Sequence, residues 1–256
     1  MQLKSILKGI IPEKLRPIAE RVFSWLRAKW LWGLKFYCPY CHGHFRKLLP
    51  SGEKPRPNAQ CPACFSLERY RLLWLYLNDK TAFFKERLKV LDIAPVKCFR
   101  DKCKNLKNIE YLSADIASPL AMIKMDIETI PFKDDHFDCV FCYHVLEHIH
   151  DDCRAMKEIF RVLKPGGWAI LQSPVDTQRR KTFEDPKITS PEERARYFGQ
   201  PDHLRVYGND YKERLENAGF LVKLDDYAGQ LEDSIVKKYA LMRDEKIFFC
   251  VKPKSA

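Results

Sequence analysis

Four cysteines in two short pairs are the residues of this 256-residue chain that point most directly to chemistry. The segments Cys38-Pro-Tyr-Cys41 and Cys61-Pro-Ala-Cys64 are separated by nineteen residues. Each pair presents two thiols from a tight turn, and two such turns can close a tetrahedral zinc site. We therefore predict a structural Zn²⁺ ion held by Cys38, Cys41, Cys61 and Cys64, with no open position for catalysis. A redox function is the alternative, but two copies of the pair around a loop with Gly and Pro argue against it.

Three histidines are candidates for proton transfer, because imidazole titrates near neutral pH. His144 directly follows an apolar run and is our first candidate for a general base. His148 and His203 are alternatives. Any of the three could instead have a purely structural role.

The chain around His144 predicts one β–α–β unit. Phe137–Tyr143 is apolar and suits a buried strand. Asp151 and Asp152 can cap the free N–H groups of a following helix, which residues 164–167 (KPGG) would end. Residues 168–173 are a second apolar strand. Such a unit implies a parallel sheet with a right-handed crossover.

This unit also carries a family resemblance. HVLEHI (residues 144–149), followed by RVLKPGGWAILQSP (residues 161–174), resembles the fourth strand, the following helix and the fifth strand of class I S-adenosylmethionine (SAM)-dependent methyltransferases of type 11. The resemblance implies an α/β fold: a Rossmann-like seven-stranded sheet, with six parallel strands and an antiparallel seventh. The small zinc-ribbon module would precede this sheet. KPGG alone is weak evidence for this family, whereas its combination with HVLEH at this distance is specific.

The resemblance further implies where SAM binds. In the family, the first strand ends in an acid and a glycine-rich turn; here KVLDIAP (residues 89–95) has Ala94, Val96 and Cys98 where glycines are usual. The turn must therefore be reshaped if it binds SAM. The implied SAM-binding residues are Asp92, Ala94, Pro95, Asp115, Asp126, Ile127 and Tyr143.

Two of these acids have specific implied roles. Asp115 lies 23 residues after Asp92, close to the family spacing for the acid that binds the ribose hydroxyls. A carboxylate at a strand end suits this role, since it can accept hydrogen bonds from two neighbouring O–H groups. Residues 122–127 are expected to be a short third strand, and Asp126 within it matches the position beside the adenine. Capping of a turn is the alternative for either acid.

The positive charge is concentrated in the N-terminal third. The net charge is +11, and residues 1–87 contain 17 Lys/Arg against 6 Asp/Glu, whereas residues 88–256 contain 28 of each. This distribution favours an anionic partner such as nucleic acid, a membrane surface or a glycan, with a solvated basic face as the alternative. Residues 1–35 add Trp25, Trp30 and Trp32, which fits peripheral membrane contact. A helix that packs on the rest of the protein is more common than one that binds a membrane, and we favour this interpretation for residues 1–35.

Sequence features also predict location and domain organisation. No apolar run approaches the roughly 20 residues that cross a bilayer, and lysines interrupt the N-terminal apolar residues. We expect a cytoplasmic protein, with membrane association through residues 1–35 as the alternative. The predicted divisions are a basic amphipathic segment (1–35), a zinc ribbon (36–66), a connecting helix (67–87) and a methyltransferase domain (88–256) with a lid insertion at about 175–207.

The function predicted from the sequence is SAM-dependent methyl transfer to a small molecule or glycan. Such a reaction needs alignment of donor and acceptor and removal of a proton from the acceptor. One alternative is an RNA methyltransferase that uses the zinc module to bind its substrate. The other is a non-catalytic binding protein of the same fold, which the missing glycines suggest. The sequence does not specify an oligomeric state.

Overall fold

The computed structural model describes residue 12, residues 15–52 and residues 54–254. These residues fall into two compact units. The first contains the chain up to Lys80 together with Ala228–Glu245, and the second contains Thr81–Tyr227 together with the chain from Lys246. Residues 228–245 are expected from the sequence in the methyltransferase domain, but in the structure they belong to the first unit.

The helices and strands follow one another along the chain. In order they are α1 (Arg16–Trp30), β1 (Trp32–Tyr37), β2 (His44–Phe45), β3 (Leu49–Ser51), β4 (Arg56–Gln60), α2 (Glu68–Lys80), β5 (Leu88–Ile93), α3 (Lys97–Cys103), β6 (Ile109–Asp115), β7 (Ile123–Lys124), β8 (Phe137–Tyr143), a 3₁₀ turn (Leu146–His148), α4 (Asp152–Val162), β9 (Leu163–Gln172), β10 (Phe183–Glu184), α5 (Pro191–Phe198), β11 (Arg205–Val206), α6 (Tyr211–Asn217), β12 (Leu221–Asp225), α7 (Tyr227–Gln230), α8 (Asp233–Tyr239) and β13 (Ile247–Val251).

The first unit is built on two small antiparallel sheets, β1–β2 and β3–β4. Arg71, on α2, is its central buried residue, with no exposed surface. Its guanidinium donates hydrogen bonds to the carbonyl oxygens of Asn58, Ala59, Ser66, Tyr239 and Ala240. A buried charge of this kind is tolerated because its N–H groups are satisfied. Arg71 thus ties β4, the turn before α2 and the end of α8 together.

The second unit contains a seven-stranded sheet in the order β12-β13-β9-β8-β5-β6-β7. β13 is antiparallel to both of its neighbours, and every other pairing in the sheet is parallel. The predicted arrangement of six parallel strands and an antiparallel seventh is therefore confirmed.

The predicted β–α–β unit lies at the middle of this sheet. β8 has the predicted bounds, and α4 begins after Asp151, whose carboxylate accepts a hydrogen bond from the Arg154 amide at 2.9 Å. The apolar face of α4 is fully buried at Ala155, Ile159 and Val162. Burial of such a stripe, rather than intrinsic helix propensity, stabilises a helix of this length.

Two strands differ from the prediction. Residues 164–167 are expected to be a helix stop, but they form the start of β9. Gly166 and Gly167 allow the strand to begin this early. The backbone of both residues pairs with Lys252, and Gly166 has a left-handed φ of +79°. A Cβ at Gly167 would lie 2.9 Å from the Asp138 carbonyl oxygen, so only glycine fits there. β7 is only two residues long, although residues 122–127 are expected to be a strand.

The insertion at 175–207 contains one short helix among the described elements. This helix, α5, begins at Ser190, whose hydroxyl accepts a hydrogen bond from the Glu193 amide. β10 and β11 form a small antiparallel pair on either side of it. The role of the insertion as a lid stays a prediction.

The apolar side chains of α1 and the residues after it are exposed. Ile18, Trp25 and Trp30 are 61, 54 and 72 % exposed, and Trp32 and Leu34 are also exposed. The favoured packing of this face onto the rest of the protein is therefore not seen among the described residues. Membrane contact through residues 1–35 stays a prediction, part of which (1–11 and 13–14) lies outside the described residues. None of the described helices has both the length and the apolar character that crossing a bilayer requires.

Candidate functional site

The two Cys-x-x-Cys pairs of the first unit adopt the same backbone turn. The amide of His42 donates to the Cys38 carbonyl at 2.9 Å, and the amide of Phe65 donates to the Cys61 carbonyl at 3.1 Å. His42 and Phe65 both have left-handed conformations, at φ +56° and +62°. Non-glycine residues rarely adopt this conformation, so its repetition marks a geometry that the turns require.

These turns bring the four predicted metal ligands together. The sulfur atoms of Cys38, Cys41, Cys61 and Cys64 all lie within 4.8 Å of one another. The Cys38 and Cys64 sulfurs are 3.5 Å apart, and the Cys41 and Cys61 sulfurs are 3.6 Å apart. A tetrahedral Zn²⁺ site with Zn–S bonds of about 2.3 Å requires separations of about 3.8 Å. The geometry therefore fits the predicted zinc ion.

The surroundings of the cysteines suit an anionic metal centre. Four thiolates around Zn²⁺ carry a net charge of −2. Burial lowers the pKa of Arg71, while negative charge at Cys38 and Cys61 raises it. The Arg71 guanidinium is thus a buried positive charge that is electrostatically coupled to two of the sulfurs, which offsets part of the cost of burying the centre.

In the second unit, the strands that should hold SAM end together. Ile93 of β5 is in register with Ala114 of β6 and Cys142 of β8. Tyr143 of β8 is in register with Gln172 of β9. Ligands of open parallel sheets bind at this carboxyl edge. Ala94, Asp115, Tyr143 and His144 therefore lie at the edge where a SAM site is expected.

Ala94 makes the turn that the family makes with glycine. Its φ is +53°, which is glycine-like backbone, and its amide donates to the Ala114 carbonyl at 2.9 Å. The absence of glycine has therefore not removed the left-handed turn at this position. Pro95, which follows, is buried.

Asp92 lies inside the sheet rather than at an open surface. It is 5 % exposed, and the Tyr111 hydroxyl of β6 donates to its Oδ2 at 2.5 Å. Burial raises the pKa of Asp92 to about 7, although the hydrogen bond from Tyr111 opposes this. Its contact with SAM stays a prediction, as do those of the buried residues Ile127 and Tyr143.

Asp115 and Asp126 both cap turns. Asp115 Oδ1 accepts hydrogen bonds from the amides of Ala117 and Ser118, each at 2.7 Å, and Asp126 Oδ1 accepts one from the Glu128 amide at 2.9 Å. Asp115 is half-buried and Asp126 is exposed. In both turns the amide hydrogen bonds go to Oδ1. A role for Oδ2 in binding a ligand is therefore compatible with the geometry.

Substitution of Asp115 tests its proposed role in SAM binding. Asp115→Asn keeps an oxygen for the turn but removes the charge, so we expect SAM affinity to fall by about 1.5–3 kcal/mol, the value of charge-assisted hydrogen bonds. Asp185 caps a comparable turn through the Lys187 amide, and Asp185→Asn is the matched control. Calorimetric titration with SAM measures both. Equal affinities in the two variants would show that Asp115 does not bind the ribose.

His144 and Glu147 form a hydrogen-bonded pair directly after β8. His144 Nδ1 lies 3.3 Å from Glu147 Oε1, and the Ser173 hydroxyl donates to Glu147 Oε2 at 2.9 Å. Burial raises the pKa of Glu147, but its hydrogen bonds with His144 and Ser173 hold it below the usual value. His144 Nε2 is buried and has no hydrogen-bond partner among the described residues. The sequence predicts His144 as a base, whereas its pairing with Glu147 is seen only in the structure.

Comparison with known proteins identifies the domain that contains this pair. Residues 76–171 match the model of the family described as methyltransferase domain. This match, over 96 of the 256 residues, supports a class I SAM-dependent methyltransferase domain in this part of the chain. The matched region of the methyltransferase domain includes β5, β8, His144 and Glu147.

Curated relatives resemble the methyltransferase domain at modest identity. The ubiquinone/menaquinone biosynthesis C-methyltransferase UbiE of Proteus mirabilis (strain HI4320) is 38 % identical over 118 residues, which are 41 % of this chain and 47 % of the relative. UbiE of Pseudomonas putida (strain W619) is 26 % identical over 122 residues, 43 % of this chain and 48 % of the relative. The chain thus spans about half the length of the curated relatives that it matches.

A solved structure supports the fold over a greater length. The crystal structure of the [4+2]-cyclase SpnF covers 93 % of this chain and 96 % of its own, with a TM-score of 0.52 and 14 % sequence identity. Its name describes a cyclase, which illustrates that a fold alone does not specify a reaction.

Proposed function

We propose that this chain transfers a methyl group from SAM to a small molecule or a glycan. The observation that supports this proposal most directly is the hydrogen bonding of the two ring nitrogens of His144. Because Nδ1 faces the Glu147 carboxylate, this nitrogen carries the proton and Nε2 keeps a lone pair. Nε2 is buried and unpartnered among the described residues. An unpaired basic nitrogen at the carboxyl edge of the sheet is suited to accept a proton from an acceptor group.

The other residues at this edge would hold the donor. SAM supplies an activated methyl group on a sulfonium, so the protein has to bind and orient the reactants. Asp115 would accept hydrogen bonds from the ribose hydroxyls, and the turn at Ala94 would allow close approach of the backbone. Asp126 would lie beside the adenine. Ser173 and Glu147 would keep the His144 ring in one orientation, which preserves the lone pair on Nε2.

Replacement of His144 tests this mechanism. His144→Gln is expected to lower the rate of methyl transfer by about 10²–10⁴-fold, which is the usual contribution of a general base. SAM affinity should be unchanged, because the proposed base acts on the acceptor. The assay measures S-adenosylhomocysteine released in the presence of pooled small metabolites, glycans or RNA. His150→Gln is the control, since His150 is exposed on the same loop.

The competing functions predict different results in this assay. Transfer to RNA alone would support the RNA methyltransferase alternative. Failure to bind SAM at millimolar concentration would support the non-catalytic alternative. An unchanged rate in His144→Gln would leave the methyltransferase activity standing and remove His144 as its base.

A further inference from the structure

A second cluster of metal-binding side chains lies in the methyltransferase unit. Glu147, His148 and His203 each have a potential ligand atom within 4.8 Å of those of the other two. Glu147 and His203 are buried, and His148 is half-buried. The two imidazole rings meet edge to face, with their centroids 4.7 Å apart. His148 and His203 have no part in the proposed methyl transfer.

Both histidines contact a backbone carbonyl oxygen through Nδ1. His148 Nδ1 lies 3.2 Å from the Asp202 carbonyl oxygen, and His203 Nδ1 lies 3.2 Å from the Phe198 carbonyl oxygen. A carbonyl oxygen can only accept a hydrogen bond, so each Nδ1 donates, and in the neutral ring Nε2 then has the lone pair that can bind a metal. Metal-binding histidines usually donate their second N–H to a carbonyl or carboxylate in this way.

The Glu147 carboxylate can complete the ligand set without losing its present contacts. One oxygen accepts from Ser173 and the other lies beside His144 Nδ1. Each carboxylate oxygen has two lone pairs, so a further lone pair remains for a cation. Carboxylates that bind metals are commonly held by hydrogen bonds of this type.

The backbone that carries the three residues is held together by Arg205. Its guanidinium donates to the carbonyl oxygens of Leu146, Ile149 and His150, and the amide of Leu204 donates to the Glu147 carbonyl at 2.9 Å. The side chain of Arg205 is 5 % exposed. The loop with Glu147 and His148 is thus fixed to the segment with His203, so the ligands are arranged before a cation binds.

We propose that Glu147, His148 and His203 form a binding site for a first-row divalent transition-metal cation, such as Mn²⁺, Fe²⁺ or Zn²⁺. Two imidazoles and one carboxylate match the preferences of these ions, whereas Mg²⁺ and Ca²⁺ favour oxygen ligands. Three protein ligands leave at least one coordination position open for water or a substrate oxygen. The site differs from the cysteine cluster in both ligand type and open coordination.

Titration of the full-length protein with Co²⁺ distinguishes the two sites. Co²⁺ bound to thiolates has strong sulfur-to-metal charge-transfer absorption, which a site of nitrogen and oxygen ligands lacks. We expect wild-type protein to bind two equivalents, only one of which has this absorption. The double variant His148→Gln/His203→Gln should bind one equivalent with the thiolate absorption unchanged. The variant Cys61→Ser should lose that absorption and retain the second equivalent.

Mn²⁺ provides an independent measurement, because it prefers nitrogen and oxygen ligands to thiolates. Electron paramagnetic resonance of free Mn²⁺ should show that His148→Gln weakens binding by more than about 100-fold. Loss of a residue that only hydrogen-bonds to a ligand lowers metal affinity by about 10–100-fold, and loss of a ligand itself should lower it further. His150→Gln is the control and should bind normally. Thermal unfolding of the same samples shows whether each variant is folded. The proposal is wrong if wild type binds Co²⁺ only with thiolate absorption, or if folded His148→Gln and His203→Gln bind Mn²⁺ as wild type does.

Discussion

Replacement of Cys61 by serine is expected to remove one equivalent of metal from the protein and to unfold the first unit. A four-cysteine site of this size contributes about 10–16 kcal/mol of binding free energy, which is also folding free energy. The four sulfurs lie within 4.8 Å of one another, so loss of the metal would leave buried thiols in mutual contact. Elemental analysis measures the metal, and amide hydrogen exchange measures the stability of each unit.

The matched control for this experiment is Cys153→Ser. Cys153 is exposed and lies outside the cysteine cluster, so its replacement should leave both metal content and exchange unchanged. In Cys61→Ser, residues 228–245 should lose protection together with the N-terminal residues, because they belong to the same unit. The seven-stranded sheet should remain protected. Normal metal content in Cys61→Ser would contradict the proposed zinc site.

Asp92→Asn is expected to change how stability depends on pH. Burial raises the pKa of Asp92 from 3.8 to about 7, so the neutral form is favoured in the folded protein. A raised pKa stabilises the fold below the pKa of the unfolded chain, and this contribution is lost as pH rises through 7. A shift of this size corresponds to about 4 kcal/mol. Between pH 4 and pH 8, wild type should therefore lose about 4 kcal/mol of unfolding free energy that Asp92→Asn retains.

Denaturant unfolding at a series of pH values measures this difference. The groups coupled to Asp92 are Tyr111, Cys103, Cys139 and Cys142, whose own pKa values are raised. None of them supplies a positive charge that would stabilise the carboxylate. Asp134→Asn, at an exposed acid, is the control for a general charge effect. Parallel pH profiles for wild type and Asp92→Asn would show that the carboxyl group titrates normally in the folded protein.

The centre of the fold could be predicted because several local signals agree there. The apolar run of β8, the cap at Asp151 and the buried face of α4 each specify the same β–α–β unit. The same agreement made the four cysteines recognisable, since their spacing and turn residues are local. Where only one signal is present, as at β7, the predicted strand is longer than the real one.

The remaining features depend on contacts between distant parts of the chain. His203 lies in the insertion, and contacts of Arg205 and Leu204 bring it to Glu147 and His148. The left-handed conformation of Ala94 is equally invisible in the sequence, because alanine does not normally indicate it. The membership of residues 228–245 in the first unit, where Tyr239 and Ala240 accept hydrogen bonds from Arg71, could not be found from composition or periodicity.

The contacts of Arg71 also affect how the protein is made. Its acceptors at Tyr239 and Ala240 follow it by 168 and 169 residues. At translation rates of about 5–20 residues per second, these carbonyls are synthesised roughly 10–30 s after Arg71 itself. During this interval the four cysteines have already been synthesised, while the Arg71 guanidinium still lacks two of its acceptors. The N-terminal unit therefore stays incomplete until residues 228–245 have been synthesised, and metal can be captured before the unit closes.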